Sequence, residues 1–134
     1  MNFQERCAEL EAIIQAAYEE SVTMPEAEKL AALFLKAQME CATQLQALSL
    51  DARMRKTGVK SIRAAIYLDT IQKADKRPTE AQVAAMVDSN PLVEGEQKRF
   101  DEAEVECETV KRYYDIFVNA HIYYRGIAKG TFGG

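Results

Sequence analysis

Few side chains in this sequence are suited to covalent or acid–base chemistry, and their spacing limits what each can do. His121 is the only histidine. It falls among apolar residues at helical spacing, so it reads as a packed, hydrogen-bonded core histidine rather than a ligand or proton carrier. Cys7, Cys41 and Cys107 are far apart and form no Cys-x-x-Cys pair, which removes zinc and dithiol chemistry. All three sit on apolar faces, where a free cysteine acts as a small hydrophobe. The carboxylates come in runs, as in Asp101, Glu102, Glu104, Glu106 and Glu108, the pattern of a solvated helix face. No Glu-x-x-His pair for a di-iron site, no phosphate loop and no Gly-x-Gly-x-x-Gly is present. No cofactor, metal or catalytic residue is expected, and the chain reads as a non-enzyme.

Chemistry of another kind lies in the charge pattern. The net charge is −4, but it is segregated. Residues 1–50 carry three basic and eight acidic groups, residues 51–77 eight and three, and residues 78–134 six and ten. A polyanion responds to local potential rather than to the total. In the basic segment Arg53, Lys56, Lys60, Arg63 and Tyr67 fall at offsets of 0, 3, 7, 10 and 14, one face of a helix with no acid in the stripe. Cations on one face can track phosphates, and an aromatic in line can stack on a base. The same stripe equally suits ion pairing with the chain's own acidic helices. A second cluster lies near the C-terminus, where Tyr123, Arg125, Lys129 and Phe132 mix with glycine, a composition that suits single-stranded nucleic acid.

The elements that would position these residues are helices. Glycine and proline are scarce, and four of the six glycines lie at or after Gly126. No stretch alternates apolar and polar residues long enough for a sheet. The expected fold is all-α, an elongated helical hairpin or bundle in one domain, with a long coiled-coil-like C-terminal helix. A first amphipathic helix spans residues 3–20, with Phe3, Cys7, Leu10, Ile13 or Ile14 and Ala17 as its apolar stripe. A second begins after Thr23, where Glu26 completes a capping-box pattern and Pro25 fits the first turn. A kink or short break is expected between Ser49 and Gly58. A third helix then carries the basic stripe to about Lys76, ahead of Arg77-Pro78. Thr79 with Gln82 caps a short helix containing Val83, Met86 and Val87.

The organising element runs from Asn90 to Lys129. Asn90 can cap it and Pro91 suits its first turn. A three-four spacing gives Val93, Glu96, Phe100, Ala103, Cys107, Val110, Tyr114, Phe117, His121, Tyr124 and Ala128. Such a helix is roughly 57 Å long. It has more apolar length than one small hairpin buries, which points to self-association through Phe100, Cys107, Val110, Tyr114, Phe117, His121 and Tyr124. An intramolecular bundle would use the same residues. A loose tail is expected from about residue 127. The N-terminus has no apolar run and no stretch is apolar enough to span a membrane, so no membrane partner is expected and the location expected is cytoplasmic.

The layout resembles the small bacteriophage recombination-mediator proteins of the UvsY type. The likeness rests on the basic helix Lys60-Ser-Ile-Arg63-Ala-Ala-Ile-Tyr67, the Thr79-Glu80 turn, the Asp88-Ser-Asn-Pro91 step and the closing Arg125-Gly126-Ile-Ala-Lys129, over about residues 53–130. The sequence departs from that pattern in an undoubled Tyr67, no glycine after it and a shorter tail. The resemblance implies an oligomeric, all-helical protein that binds single-stranded DNA and helps load a RecA-type recombinase onto strands coated by a single-strand-binding protein. It implies host-cytoplasmic location, with Lys60 and Arg63 as the DNA-contacting pair. Two readings stand beside it: an acidic helical interaction module that inhibits or adapts a host protein, and a bundle whose role is assembly alone.

Overall fold

A computed structural model of the chain describes residues 2–18 and 20–130. Among these residues there are four α-helices and no strand: α1 (Phe3–Tyr18), α2 (Met24–Lys73), α3 (Glu80–Asp88) and α4 (Pro91–Ala128). The fold is all-α, as the scarcity of glycine and proline demands.

The helix ends are set locally. Ahead of α1 the Asn2 side chain accepts from the Glu5 backbone N–H at 2.8 Å, and the Glu5 carboxylate accepts from the Asn2 N–H at 3.3 Å. This reciprocal pair satisfies two donors at the helix start. Thr23 Oγ1 accepts from the Glu26 N–H at 3.3 Å to open α2. Thr79 and Gln82 form a complete capping box at α3, with bonds of 3.2 and 2.9 Å. Asn90 Oδ1 accepts from the Leu92 N–H at 2.9 Å, and Pro91 is the first residue of α4. Ile127 and Ala128, expected in a loose tail, belong to the last turn of α4. Gly130 closes it at φ +70°, a conformation that costs glycine little, and its N–H donates to the Ile127 carbonyl at 3.0 Å. Residues 131–134, including Phe132, lie outside the described residues.

The break expected between Ser49 and Gly58 is absent: α2 is one helix of 50 residues. No proline occurs between Pro25 and Pro78, and a single interior glycine costs only about 1 kcal/mol. Packing along the helix outweighs that. The helix stops at Lys73 rather than at about Lys76, before Pro78 forces the issue.

The contacts divide the chain into two units. The first comprises residues 1–46 and 108–134. In it α1 contributes Cys7, Leu10 and Ile14, α2 contributes Ala27, Ala31, Phe34, Ala37 and Cys41, and α4 contributes Val110, Tyr113, Phe117, Ala120 and Tyr124, all buried. Phe34 is fully buried and stacks on Phe117 and Tyr124, with centroids 5.9 and 5.8 Å apart. The spacing on α4 differs from expectation by a small rotation: Tyr113 and Ala120 are buried, while Tyr114 and His121 are half-buried. Here α4 packs on α1 as well as on α2, as the Arg112–Glu11 ion pair at 3.9 Å shows, so its buried face widens toward Tyr113. The Arg112 guanidinium lies 4.9 Å from the Tyr113 ring centre.

The second unit comprises residues 47–107. Val83 and Val87 of α3 and Val93 of α4 form a buried cluster, against which Ile62 and Ile66 of α2 pack. Val59 and Ala103 are buried in the same unit. Burial of such side chains, each worth about 1.5–3 kcal/mol, fixes which face of α2 points inward and which face is left to solvent.

Candidate nucleic-acid interface

The inward face of α2 in the second unit carries Val59, Ile62 and Ile66, so the stripe beginning at Arg53 turns away from the core. Arg53, Lys56 and Lys60 are exposed, Arg63 is half-buried, and Tyr67 is 43% exposed. The 14 steps from Arg53 to Tyr67 rise about 21 Å along the helix axis.

Three acids near the stripe are taken up locally. Asp51 pairs with Arg55 at 3.0 Å and Asp69 with Lys73 at 3.1 Å, each one helical turn apart. Asp88, at the end of α3, pairs with Arg63 at 2.6 Å. Among the described residues Arg53, Lys56 and Lys60 make no ion pair. The stripe therefore divides. Three cations face solvent without an ion pair among the described residues, whereas Arg63 is held by a carboxylate from α3. The internal-pairing alternative holds for Arg63, and the sequence could not show it because the partner is 25 residues away.

The C-terminal cluster belongs to the other unit. Arg125 and Lys129 are exposed one turn apart at the end of α4, where cations complement the helix dipole. Tyr123 is 39% exposed and meets Tyr124 edge-on at 5.2 Å.

The residues expected to drive assembly are used inside the chain. Val110, Phe117 and Tyr124 are buried in the first unit, where Tyr114 and His121 are half-buried. Phe100 and Cys107 are half-buried in the second unit. The intramolecular alternative accounts for their apolar spacing. His121 Nδ1 lies 2.8 Å from the Ala31 carbonyl. A carbonyl can only accept, so Nδ1 carries the proton and ties α4 to α2.

The thiols are not set up as nucleophiles. Cys7 and Cys41 are buried and hydrogen-bonded to one another. Burial pushes both up, Cys41 to about 12, so neither is a thiolate at neutral pH. Burial also raises Cys107. Among the described residues no group of three or more His, Cys, Asp or Glu is placed to hold a metal ion, and no helix is long and apolar enough to cross a membrane. Asp101, Glu102, Glu104, Glu106 and Glu108 are exposed along α4.

One feature of the second unit had no signal in the sequence. An open groove of about 720 Å³ runs along α4, with Val93 and Val105 among its walls and Asp88, Glu94, Asp101 and Glu102 around it. Lys98 and Arg63 also line it. Its carboxylates make it a poor place for a polyanion and a better one for an apolar, cationic segment. The groove exists only once α2, α3 and α4 are packed.

Comparison of the chain with protein-family models, with curated proteins and with solved structures gives no match.

Proposed function

We propose that this chain is a single-stranded DNA-binding accessory of phage recombination or replication, acting as an oligomer and without catalysis. Arg53, Lys56 and Lys60 are its principal phosphate contacts. The observation that carries this reading is the set of three exposed cations on one face of α2, without ion pairs of their own among the described residues, while Asp51, Asp69 and Asp88 are paired with Arg55, Lys73 and Arg63. Such a face attracts a phosphate chain and releases its counterions. Tyr67, exposed in line with the cations, favours an unpaired strand, because a base within a duplex cannot stack on a side chain. Arg63 is a secondary contact, since Asp88 competes for it, and Arg125 and Lys129 offer a separate basic point.

The resemblance to the UvsY-type mediators supports a RecA-type recombinase and a single-strand-binding protein as the protein partners. Several basic faces in one assembly would multiply weak contacts through effective concentration. With the α4 apolar residues used within the chain, self-association would draw on exposed apolar residues of α2 such as Leu50, Met54 and Leu68. One observation favours a second reading, an interaction module for a host protein: the groove along α4 has apolar walls and surrounding carboxylates.

Fluorescence anisotropy of labelled single-stranded DNA over a salt series, with the duplex as control, tests the proposal. Binding that is tight at low salt, falls steeply with salt and favours the single strand supports it. No binding at low salt removes DNA and leaves the groove as the functional surface.

A further inference from the structure

Beside Tyr67 the second unit has a smaller hollow of about 290 Å³, between α2 and α3, lined by Arg63, Ala64, Tyr67, Glu80, Ala84 and Val87. Its size is at the lower end of small-molecule sites, enough for one flat heterocycle and too small for a drug-sized ligand. It opens because Ala64 and Ala84, on facing helices, are small. Val87 beneath is 3% exposed, so the floor is dry and apolar.

We propose that this hollow receives one unpaired nucleobase of the strand that the Arg53–Lys60 cations hold. The inference rests on the single-strand reading and adds to it a site with its own preference. Three features specify a base rather than a phosphate. The floor and two walls are alkyl, which suits the flat face of a heterocycle and not a hydrated anion. Tyr67 supplies an aromatic wall, and stacking on it is available to any base. Glu80 supplies a carboxylate that makes no ion pair among the described residues. That carboxylate repels phosphate but accepts a hydrogen bond from an exocyclic amino group. Arg63 lines the same hollow and is fixed by Asp88 at 2.6 Å, so its guanidinium is already in place when the base arrives.

The carboxylate gives the site a preference. Cytosine carries an amino donor at C4 where thymine carries an acceptor oxygen, so at that edge an amino-bearing base bonds to Glu80, whereas thymine meets it with an oxygen and has only its N3–H to donate. The cations on α2 hold both strands equally, because phosphates are the same in each.

The test uses the full chain with labelled oligo(dC) and oligo(dT) of equal length, read by anisotropy over a salt series. The wild type is expected to bind oligo(dC) several-fold tighter than oligo(dT) with the same salt slope. Ala84→Leu fills the hollow without changing charge, and it should weaken oligo(dC) binding roughly tenfold with the slope unchanged. Glu80→Gln should abolish the preference. Tyr67→Leu should lower affinity for both oligonucleotides, again without altering the slope. Helical circular dichroism reports whether each variant folds. If Ala84→Leu does not fold, the exposed Glu80 and Tyr67 variants decide the matter. Wild-type binding with a full salt slope, indifferent to base and to these substitutions, overturns the hollow as a base site and leaves the strand reading standing. No binding of either oligonucleotide by the wild type at low salt overturns the strand reading and the base site with it.

Discussion

The division of the basic stripe gives a quantitative expectation. For single strands each neutralised phosphate contributes roughly 0.7 to the slope of log affinity against log salt. Three contacts, from Arg53, Lys56 and Lys60, give a slope of about −2.1. Between 50 and 200 mM salt the wild type then loses about 18-fold in affinity. Lys56→Ala with Lys60→Ala leaves a slope of about −0.7 and a loss of about 2.6-fold over the same range. Arg63→Ala should leave the slope close to −2.1, because Asp88 already holds that guanidinium at 2.6 Å. Both members of the pair are substantially exposed, 42% and 62% by side chain, so the bridge itself is worth no more than about 1 kcal/mol and its loss should not unfold the unit. Asp88→Asn should release Arg63 and steepen the slope toward about −2.8. Anisotropy at four salt concentrations measures all four proteins. An Arg63→Ala slope reduced as much as that of a single lysine variant, or an Asp88→Asn slope no steeper than wild type, would refute the claim that the bridge withholds Arg63 from phosphate.

Stability measurements check the packing. Gly58→Ala should raise the urea midpoint by the equivalent of about 0.5–1 kcal/mol, since an interior helix gains from alanine and the added methyl meets only Glu96 Oε2 at 3.6 Å. Phe34→Ala, removing a fully buried ring that stacks on Phe117 and Tyr124, should cost about 3–5 kcal/mol in the same assay. The Cys41 thiol is raised from 9.0 to about 12, so the unfolded chain loses this proton first as pH rises. Its contribution is therefore full below pH 9 and is lost between about pH 9 and 12, and Cys41→Ala should lose less stability than wild type over that window, as followed by urea unfolding.

What could be read in the sequence was local. Thr79 with Gln82, Asn90 with Pro91 and Thr23 with Glu26 announce helix starts because the groups that bond are within three residues of one another. The apolar spacing on α4 was visible for the same reason, but which neighbours cover it was not. A third helix against Tyr113 turned the buried face by part of a turn, and burial within the first unit absorbed residues that spacing alone assigns to assembly. The expected break at Gly58 failed because propensity is a weak term beside packing. Exposure of Arg53, Lys56 and Lys60 followed from their place about a third of a turn round α2 from Val59, Ile62 and Ile66. The capture of Arg63 by Asp88, the groove along α4 and the hollow beside Tyr67 depend on side chains brought together from different helices.

The early end of α2 has a practical consequence. Ala74 to Pro78 belong to no helix, and Lys76 and Arg77 stand exposed there. The only backbone bond in this connection is the Ala74 N–H to the Ile71 carbonyl, at 3.4 Å. Trypsin should cut after Lys76 before it cuts inside any helix, while Pro78 shields the bond after Arg77. The cut ends should stay together, because Val83, Val87 and Val93 remain buried against Ile62 and Ile66 on the other fragment. The connection is thus the natural place to insert a fluorophore-bearing sequence or to open new chain ends.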